Sequence, residues 1–175
     1  MLIRDAVEAD LPAILAIHND AVLHSTAIFS IHPVDLPNRA AVLAERRRQG
    51  YAFLAAVEGD TLLGYATFGE FRPHDGFFRT VEHSVYVHPD HRRRGVARAL
   101  LPPLMEAARR IGKHVMVGGI DAANAGSIAL HASFGFATVG TLPQVGFKFG
   151  RTLDLVFMQK MLDELPAVSE RPPTP

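Results

Sequence analysis

The sequence predicts a single-domain α/β fold in which a β-sheet is flanked by α-helices. Three observations carry the prediction. The chain has 175 residues with 48% hydrophobic content, enough for one domain that buries roughly two-thirds or more of its unfolded surface. Runs that alternate apolar and polar residues, the period of strands, are interspersed with runs at helical spacing. At one point such a strand passes through a short arginine-flanked loop into a helix. Val81, Val85 and Val87 alternate with Glu82, Ser84 and Tyr86; Arg92-Arg93-Arg94-Gly95-Val96-Ala97 follows; then Leu100, Leu101, Leu104, Ala107, Ala108 and Ile111 recur at helical spacing.

Taken in order, residues 1–6 read as a strand. Asp10 is placed to cap a helix whose apolar face is Leu11, Ile14, Leu15 and Val22, with Pro12 tolerated in its first turn. Residues 25–36 follow neither period and contain Pro33, so they read as a loop. A second helix runs over 37–49 and stops at Gly50. Residues 51–57 and 61–68 flank Glu58-Gly59-Asp60, a hairpin signal. The valine-rich strand ends at His88-Pro89-Asp90. Pro102-Pro103 falls inside the following helix, where each proline removes an N–H and clashes one turn back at a cost of about 3 kcal/mol or more. Because the apolar spacing continues on both sides, a kink is expected. Residues 114–120 read as a buried strand. Asn124, Ser127 and His131 then stand at i, i+3 and i+7 on one helix face, and Gly135-Phe136 marks where that helix ends. Residues 163–175, ending Pro172-Pro173-Thr174-Pro175, are too polar and proline-rich to fold, which leaves a domain over residues 1–162.

Eighteen basic residues balance eighteen acidic ones, so no global charge draws the chain to nucleic acid or to an anionic membrane, and function must come from a local site. There is no cysteine, which excludes disulfides, thiol nucleophiles and cysteine metal sites and fits a reducing compartment. No apolar run has signal-peptide length or the roughly 20 residues of a membrane span, so a cytoplasmic location with no membrane partner is expected. His88 and His91 lack a third ligand at metal spacing, so no metal is expected. Arg46-Arg47-Arg48 ends a helix, where the dipole favours cations on a solvated face.

The loop over residues 92–97 opens a helix whose unpaired N–H groups and positive dipole end suit an anion such as a pyrophosphate. An ordinary strand-to-helix turn with solvated arginines would account for that loop alone. Taken with Asn124, His131 and Gly135-Phe136, however, the chain resembles the GNAT superfamily of N-acetyltransferases. The family's Arg/Gln-x-x-Gly-x-Gly/Ala loop corresponds to Arg92-x-x-Gly95-x-Ala97, and its Asn, then a Tyr seven residues on, then Gly-Phe, to Asn124, His131 and Gly135-Phe136, with histidine replacing tyrosine. The stretches at 80–89, 127–131 and 143–151 are similar to the phosphinothricin and methionine sulfoximine acetyltransferase branch; Ala97 replaces a usual glycine, and Thr152 stands where the branch often has tryptophan.

The resemblance implies a GNAT-type twisted mixed sheet, acetyl-CoA as co-substrate and a homodimer. It implies direct acetylation of the α-amino group of a small amino acid or analogue: methionine sulfoximine, methionine sulfone or phosphinothricin. Acetyl-CoA is expected on Arg92, Arg93, Arg94, Gly95, Val96, Ala97, Arg98, Asn124 and Ser127, with the backbone of Val85, Tyr86 and Val87 holding the pantetheine arm as an added strand. Glu82 is the candidate general base, since a carboxylate among valines has its proton affinity raised. His131 is the candidate second proton-transfer group. The acceptor is assigned to Arg72, Pro73, His74, Glu82, His83 and Ser84, with Arg72 as the fork for a carboxylate and Arg79 in reserve. Acetylation of protein N-termini or polyamines, a non-catalytic CoA-binding module and, more distantly, nucleic-acid binding through the arginine triplets are the rival readings.

Overall fold

A computed structural model describes residues 1–163. Its framework is one seven-stranded sheet in the order β1-β2-β3-β4-β5-β7-β6. The strands are β1 (Leu2–Asp5), β2 (Phe53–Glu58), β3 (Thr61–Glu70), β4 (Thr80–Val87), β5 (Val115–Asp121), β6 (Ala137–Lys148) and β7 (Arg151–Met161). The helices are α1 (Leu11–His24), α2 (Leu36–Arg48), α3 (Val96–Arg110) and α4 (Ala125–Ser133). All neighbours pair antiparallel except β4 and β5, which are parallel. The expected mixed sheet flanked by helices is therefore present.

Two apolar clusters sandwich the sheet. On one face Leu100, Leu104 and Ala108 of α3 pack against Leu54, Ala66, Phe68, Val81 and Met116. On the other, Leu11, Ile14 and Ile17 of α1 and Leu43 of α2 pack against Phe53, Val57 and Tyr65. Leu100 is wholly buried, so truncating it to alanine removes a packed side chain at a cost of about 2–5 kcal/mol. No helix among the described residues is long and apolar enough to cross a membrane.

Several local expectations change. Asp10 does not cap α1. Its carboxylate accepts from the Val7 N–H at 2.8 Å and pairs with Arg4 at 2.6 Å, closing the short 3-10 turn Glu8–Asp10 before the helix. The capper of the second helix is Asp35, which accepts from Asn38 N–H at 3.0 Å. In α1 the buried stripe continues through Ile17 and Ala21, with Leu15 only half-buried. Helix α3 runs on through Pro102 and Pro103, as the apolar spacing on both sides implies: Pro102 is exposed and Pro103 half-buried while Leu101, Leu104 and Met105 are buried, so the apolar face is kept. At the end of α4, Gly135 takes φ +84; Gly135 N–H donates to Ala132 and Phe136 N–H to His131, a Schellman turn that requires the left-handed residue.

Residues 137–161, to which the sequence assigns no element, form the long β6–β7 hairpin. Strand β6 is the sheet edge, the position where Pro143 is tolerated, and its register shifts twice against β7. Asp163, placed in the tail by sequence, is bonded by His114 at 2.5 Å and paired with Arg79 at 3.6 Å. The remainder of the expected unfolded tail, 164–175, lies outside the described residues.

Candidate active site

The site forms where β4 and β5 part. They pair only over Thr80–Glu82 against Val115–Val117, and β5 then continues with β7 as far as Asp121. β4 stays bound to β3 up to Val87, so its other edge is open from His83 onward. His88 N–H donates to Leu63 O. Strand alternation then directs the backbone groups of Tyr86, Ser84 and Glu82 toward β3 and those of Val85 and Val87 toward the opening. The expected strand-like cradle is thus offered by Val85 and Val87, with Tyr86 between them facing away.

Beyond the strand, the chain turns through Pro89–His91 into α3. Gly95 stands at the helix N-cap with φ +79, a left-handed conformation, and a Cβ there would meet no atom within 4 Å. The first helical bond runs from Ala99 N–H to Gly95 O, so the N–H groups of Val96, Ala97 and Arg98 precede the ladder and point out of the helix end. A groove of about 600 Å³ runs from here along Val85 and Val87 to Asn124, Gly126, Ser127 and Leu130 of the α4 start, with Arg92, Arg93, Ala97 and Arg98 along its side. An exposed, left-handed glycine before a 15-residue helix, beside a free strand edge, fits a pyrophosphate with an extended arm. Arg94 does not line the groove: its guanidinium turns away to Glu58 at 3.0 Å and His91 at 2.9 Å. Arg92 is held by Asp20 at 3.2 Å.

The groove meets a cavity of about 340 Å³ at Val85, Asn124 and Ser127. Glu82, Ser84, Gly118, Gly119, Asp121, His131 and Leu155 line it, with Ala27, Ile28 and Phe29 of the loop after α1 covering a further side. Alternation puts Glu82 on the α1–α2 face of β4 and His83 on the α3–α4 face. Two adjacent glycines of β5 make room for them. A Cβ at 118 would stand 2.8 Å from His83 Cε1, and one at 119 would stand 3.3 Å from Glu82 Oε1. Gly118→Ala is therefore expected to push His83 off its partners and to destabilise the protein by about 1–3 kcal/mol as an overpacked core position. Gly119→Ala should cost less, because a carboxylate tip can give way. Thermal melts of the two variants check this, and a Gly118→Ala melt equal to wild type would refute the fit.

Burial raises the proton affinity of Glu82 above its ordinary value, and the Arg72 guanidinium, 3.8 Å away, partly opposes it. His83 is buried, with Nδ1 donating to Val117 O at 2.8 Å and Nε2 set 2.9 Å from His131 Nε2. Burial first, and then the neighbouring His131, push His83 down to about 4. His131 is lowered too, by burial, against the pull of the Ser127 carbonyl, which takes Nδ1 at 2.7 Å. Both nitrogens of His131 are thus engaged inside the protein, and at the cavity wall the Ser127 Oγ stands 3.3 Å from its Nδ1. Asn124 caps α4 by accepting from Ser127 N–H at 3.0 Å, fixing the shared corner of groove and cavity.

A family model for the Acetyltransferase (GNAT) family matches residues 14–136. The chain is 54% identical over 164 residues to the L-methionine sulfoximine/L-methionine sulfone acetyltransferase of Salmonella typhimurium, covering 94% of this chain and 96% of that one. It is 38% identical over 162 residues to the phosphinothricin N-acetyltransferase of Alcaligenes faecalis, covering 92% and 82%. The chain belongs to the GNAT acetyltransferase family. Its fold superposes on the structure of the acetyltransferase yncA from Salmonella typhimurium with its cofactor acetyl-CoA, with a TM-score of 0.94, 53% identity and coverage of 97% and 98%. It is an N-acetyltransferase, and these relatives, matched along most of its length, are named for methionine sulfoximine, methionine sulfone and phosphinothricin.

Within this GNAT frame the structure gathers Glu82, His83, Ser84, Val85, Asn124, Ser127 and His131 around one opening. It does not bring Arg72, Pro73 and His74 into the cavity. They line a small separate recess of about 40 Å³ with Tyr51, Glu70 and Phe77, and Arg72, stacked on the Phe71 ring at 4.1 Å, reaches the site only through Glu82. Arg79 is turned to Asp163. Among the described residues no group of three metal-ligating side chains is gathered. Sequence reasoning missed the cover formed by Ala27, Ile28 and Phe29. Lys148 holds it, donating to Ser25 O at 2.7 Å and Ile28 O at 2.6 Å across the length of the chain, and Thr26 bonds to Asp121. The glycine pair inside a β-branched strand was the one readable signal.

Proposed function

We propose that this N-acetyltransferase binds acetyl-CoA in the groove between β4 and α4 and transfers the acetyl group directly to the α-amino group of a small amino acid. Methionine sulfoximine and methionine sulfone are the preferred acceptors and phosphinothricin a further one. The observation that carries the reading is the half-buried Glu82 carboxylate, with its raised proton affinity, in a cavity that opens onto the free edge of β4. A bound amine there gives up its proton to Glu82, and backbone groups of Val85 and Val87 hold the acyl donor alongside. The names of the relatives support the acceptor class. A screen that follows free CoA release with amino acids, peptides and polyamines tests it: release with methionine sulfone is expected, and release only with peptides or polyamines would replace the acceptor assignment.

Arg72 lowers the Glu82 proton affinity by its charge. Activity needs Glu82 ionised, so it rises as pH climbs through the Glu82 pKa. In Arg72→Ala the carboxyl holds its proton to higher pH, and the acid limb of the kcat profile is expected to move upward. An unmoved limb would show that the two groups are uncoupled.

The same reading places the enzyme as a homodimer in the cytoplasm, working in detoxification. The exposed apolar residues Val139, Leu142, Val145, Phe147 and Phe149 of the β6–β7 hairpin support an interface, and sedimentation analysis checks it.

A further inference from the structure

Behind the opening between β4 and β5, two buried rings meet nitrogen to nitrogen. His83 and His131 are 6% and 2% exposed, and their Nε2 atoms stand 2.9 Å apart. Each Nδ1 faces a backbone carbonyl, Val117 at 2.8 Å for His83 and Ser127 at 2.7 Å for His131. A carbonyl oxygen only accepts, so each Nδ1 carries a hydrogen. A neutral imidazole holds one hydrogen, which would leave both Nε2 atoms bare and facing each other. Two lone pairs at hydrogen-bond distance in a buried site repel. One proton placed between them converts the repulsion into a charge-assisted bond.

The charged groups of the surrounding elements are engaged elsewhere. Glu82, on the other face of β4, faces Arg72. Asp121 of β5 holds Thr26 and the Ala123 N–H. Arg98 of α3 donates to Ser133 of α4, and Lys160 of β7 donates to Phe134 O. Burial lowers both rings, and the neighbouring His131 lowers His83 further; the one bridging proton gains a charge-assisted bond against that cost, and a second would not.

We propose that His83 and His131 share a single proton between their Nε2 atoms and that this dyad supplies, through the Ser127 hydroxyl, the proton taken up by the departing thiolate. The relay rests on the acetyl-CoA reading above. Ser127 lines both the groove and the cavity, and its Oγ lies 3.3 Å from His131 Nδ1. As the carbon–sulfur bond breaks, its electron pair stays on sulfur. Ser127 Oγ–H breaks and S–H forms. His131 Nδ1 then gives its hydrogen to Oγ, and the shared proton settles on His131 Nε2. The dyad is left neutral, with His131 Nε2–H donating to His83 Nε2 and His131 Nδ1 accepting from the Ser127 hydroxyl. The neutral state leaves the bare His131 Nδ1 2.7 Å from the Ser127 carbonyl, a repulsion that draws a proton back onto the dyad. Bulk water returns one proton to the dyad and receives the one that Glu82 took from the amine, so the count closes. His83 touches no reacting atom in this scheme and is a positioning residue.

Nitrogen–proton correlation spectra of the histidine rings, recorded on the enzyme without substrates, test the shared proton. Both Nδ1 atoms protonated and one hydrogen bridging the two Nε2 atoms near neutral pH is the expected result; a neutral pair with one bare Nδ1 at every pH where the protein is folded would overturn it. The relay is tested by His83→Phe, which keeps a ring against Phe136 but no acceptor. It should lower kcat by about 10-fold or more and move the alkaline limb of kcat to lower pH, with KM for the acceptor and Kd for acetyl-CoA unchanged. His83→Gln, whose amide oxygen can accept from a charged His131, should restore part of the rate. A wild-type rate and limb in His83→Phe contradicts the relay. If the variants do not fold, the wild-type ring spectrum decides. Because that spectrum needs no acceptor, a wrong acceptor assignment would appear in the CoA-release screen and leave the shared proton standing.

Discussion

Glu82→Gln is expected to lower kcat by about 10²–10⁴-fold, the range for losing a general base, while Kd for acetyl-CoA stays at its wild-type value. The amide has the shape of the carboxylate and faces the same Gly119, so the gap between β4 and β5 should keep its form. What it lacks is the ability to take a proton from the bound ammonium. Steady-state kinetics across pH with calorimetry of acetyl-CoA binding separates the two effects. Near-normal turnover at every pH would remove Glu82 from proton transfer.

The second large effect is at Gly95. Nothing within 4 Å would obstruct a Cβ in the free protein, and the side chain at this position lies open to the groove. Two penalties follow for Gly95→Leu. A φ of +79 disfavours any L-residue by roughly 1–2 kcal/mol, and the side chain occupies the space through which a pyrophosphate approaches the N–H groups of Val96, Ala97 and Arg98. Acetyl-CoA affinity is expected to fall by at least about 10-fold, with the melting temperature lowered by about 2–8 °C from the backbone strain. Unchanged affinity by calorimetry would take the loop out of the cofactor site.

The parts of this site legible in the sequence are those set by local pattern. The valine alternation of β4, the glycine at the α3 N-cap and the one-sided spacing of Asn124, Ser127 and His131 are read within a few residues, and the structure places each in the expected element. The parts that were not legible depend on distant partners. The cover over the cavity is a loop without either period, held by Lys148 from β6. Strand β6 itself is hidden because its glycines, Pro143 and register shifts break the alternation, and nearly all its residues are exposed. Asp10 looked like a helix cap because its type and position were right, but Arg4, paired with it across the turn, claims its carboxylate. Arg72 was read as a fork for the acceptor; its place 3.8 Å from Glu82 is set by the tertiary fold. The meeting of His83 with His131 joins two segments 48 positions apart, which no local pattern reports.

The central claim is acetylation of an amino acid at its α-amino group, and the most direct test compares an amino acid with its own decarboxylated amine. The measurement is kcat/KM for methionine sulfone and for the amine that lacks its carboxylate, with acetyl-CoA saturating and CoA release followed. A recognised carboxylate forms a charge-assisted pair worth roughly 1.5–3 kcal/mol, so the amino acid should be used about 10-fold to 100-fold better. Equal use of the two would contradict the amino-acid assignment and favour an acceptor recognised by its amine alone.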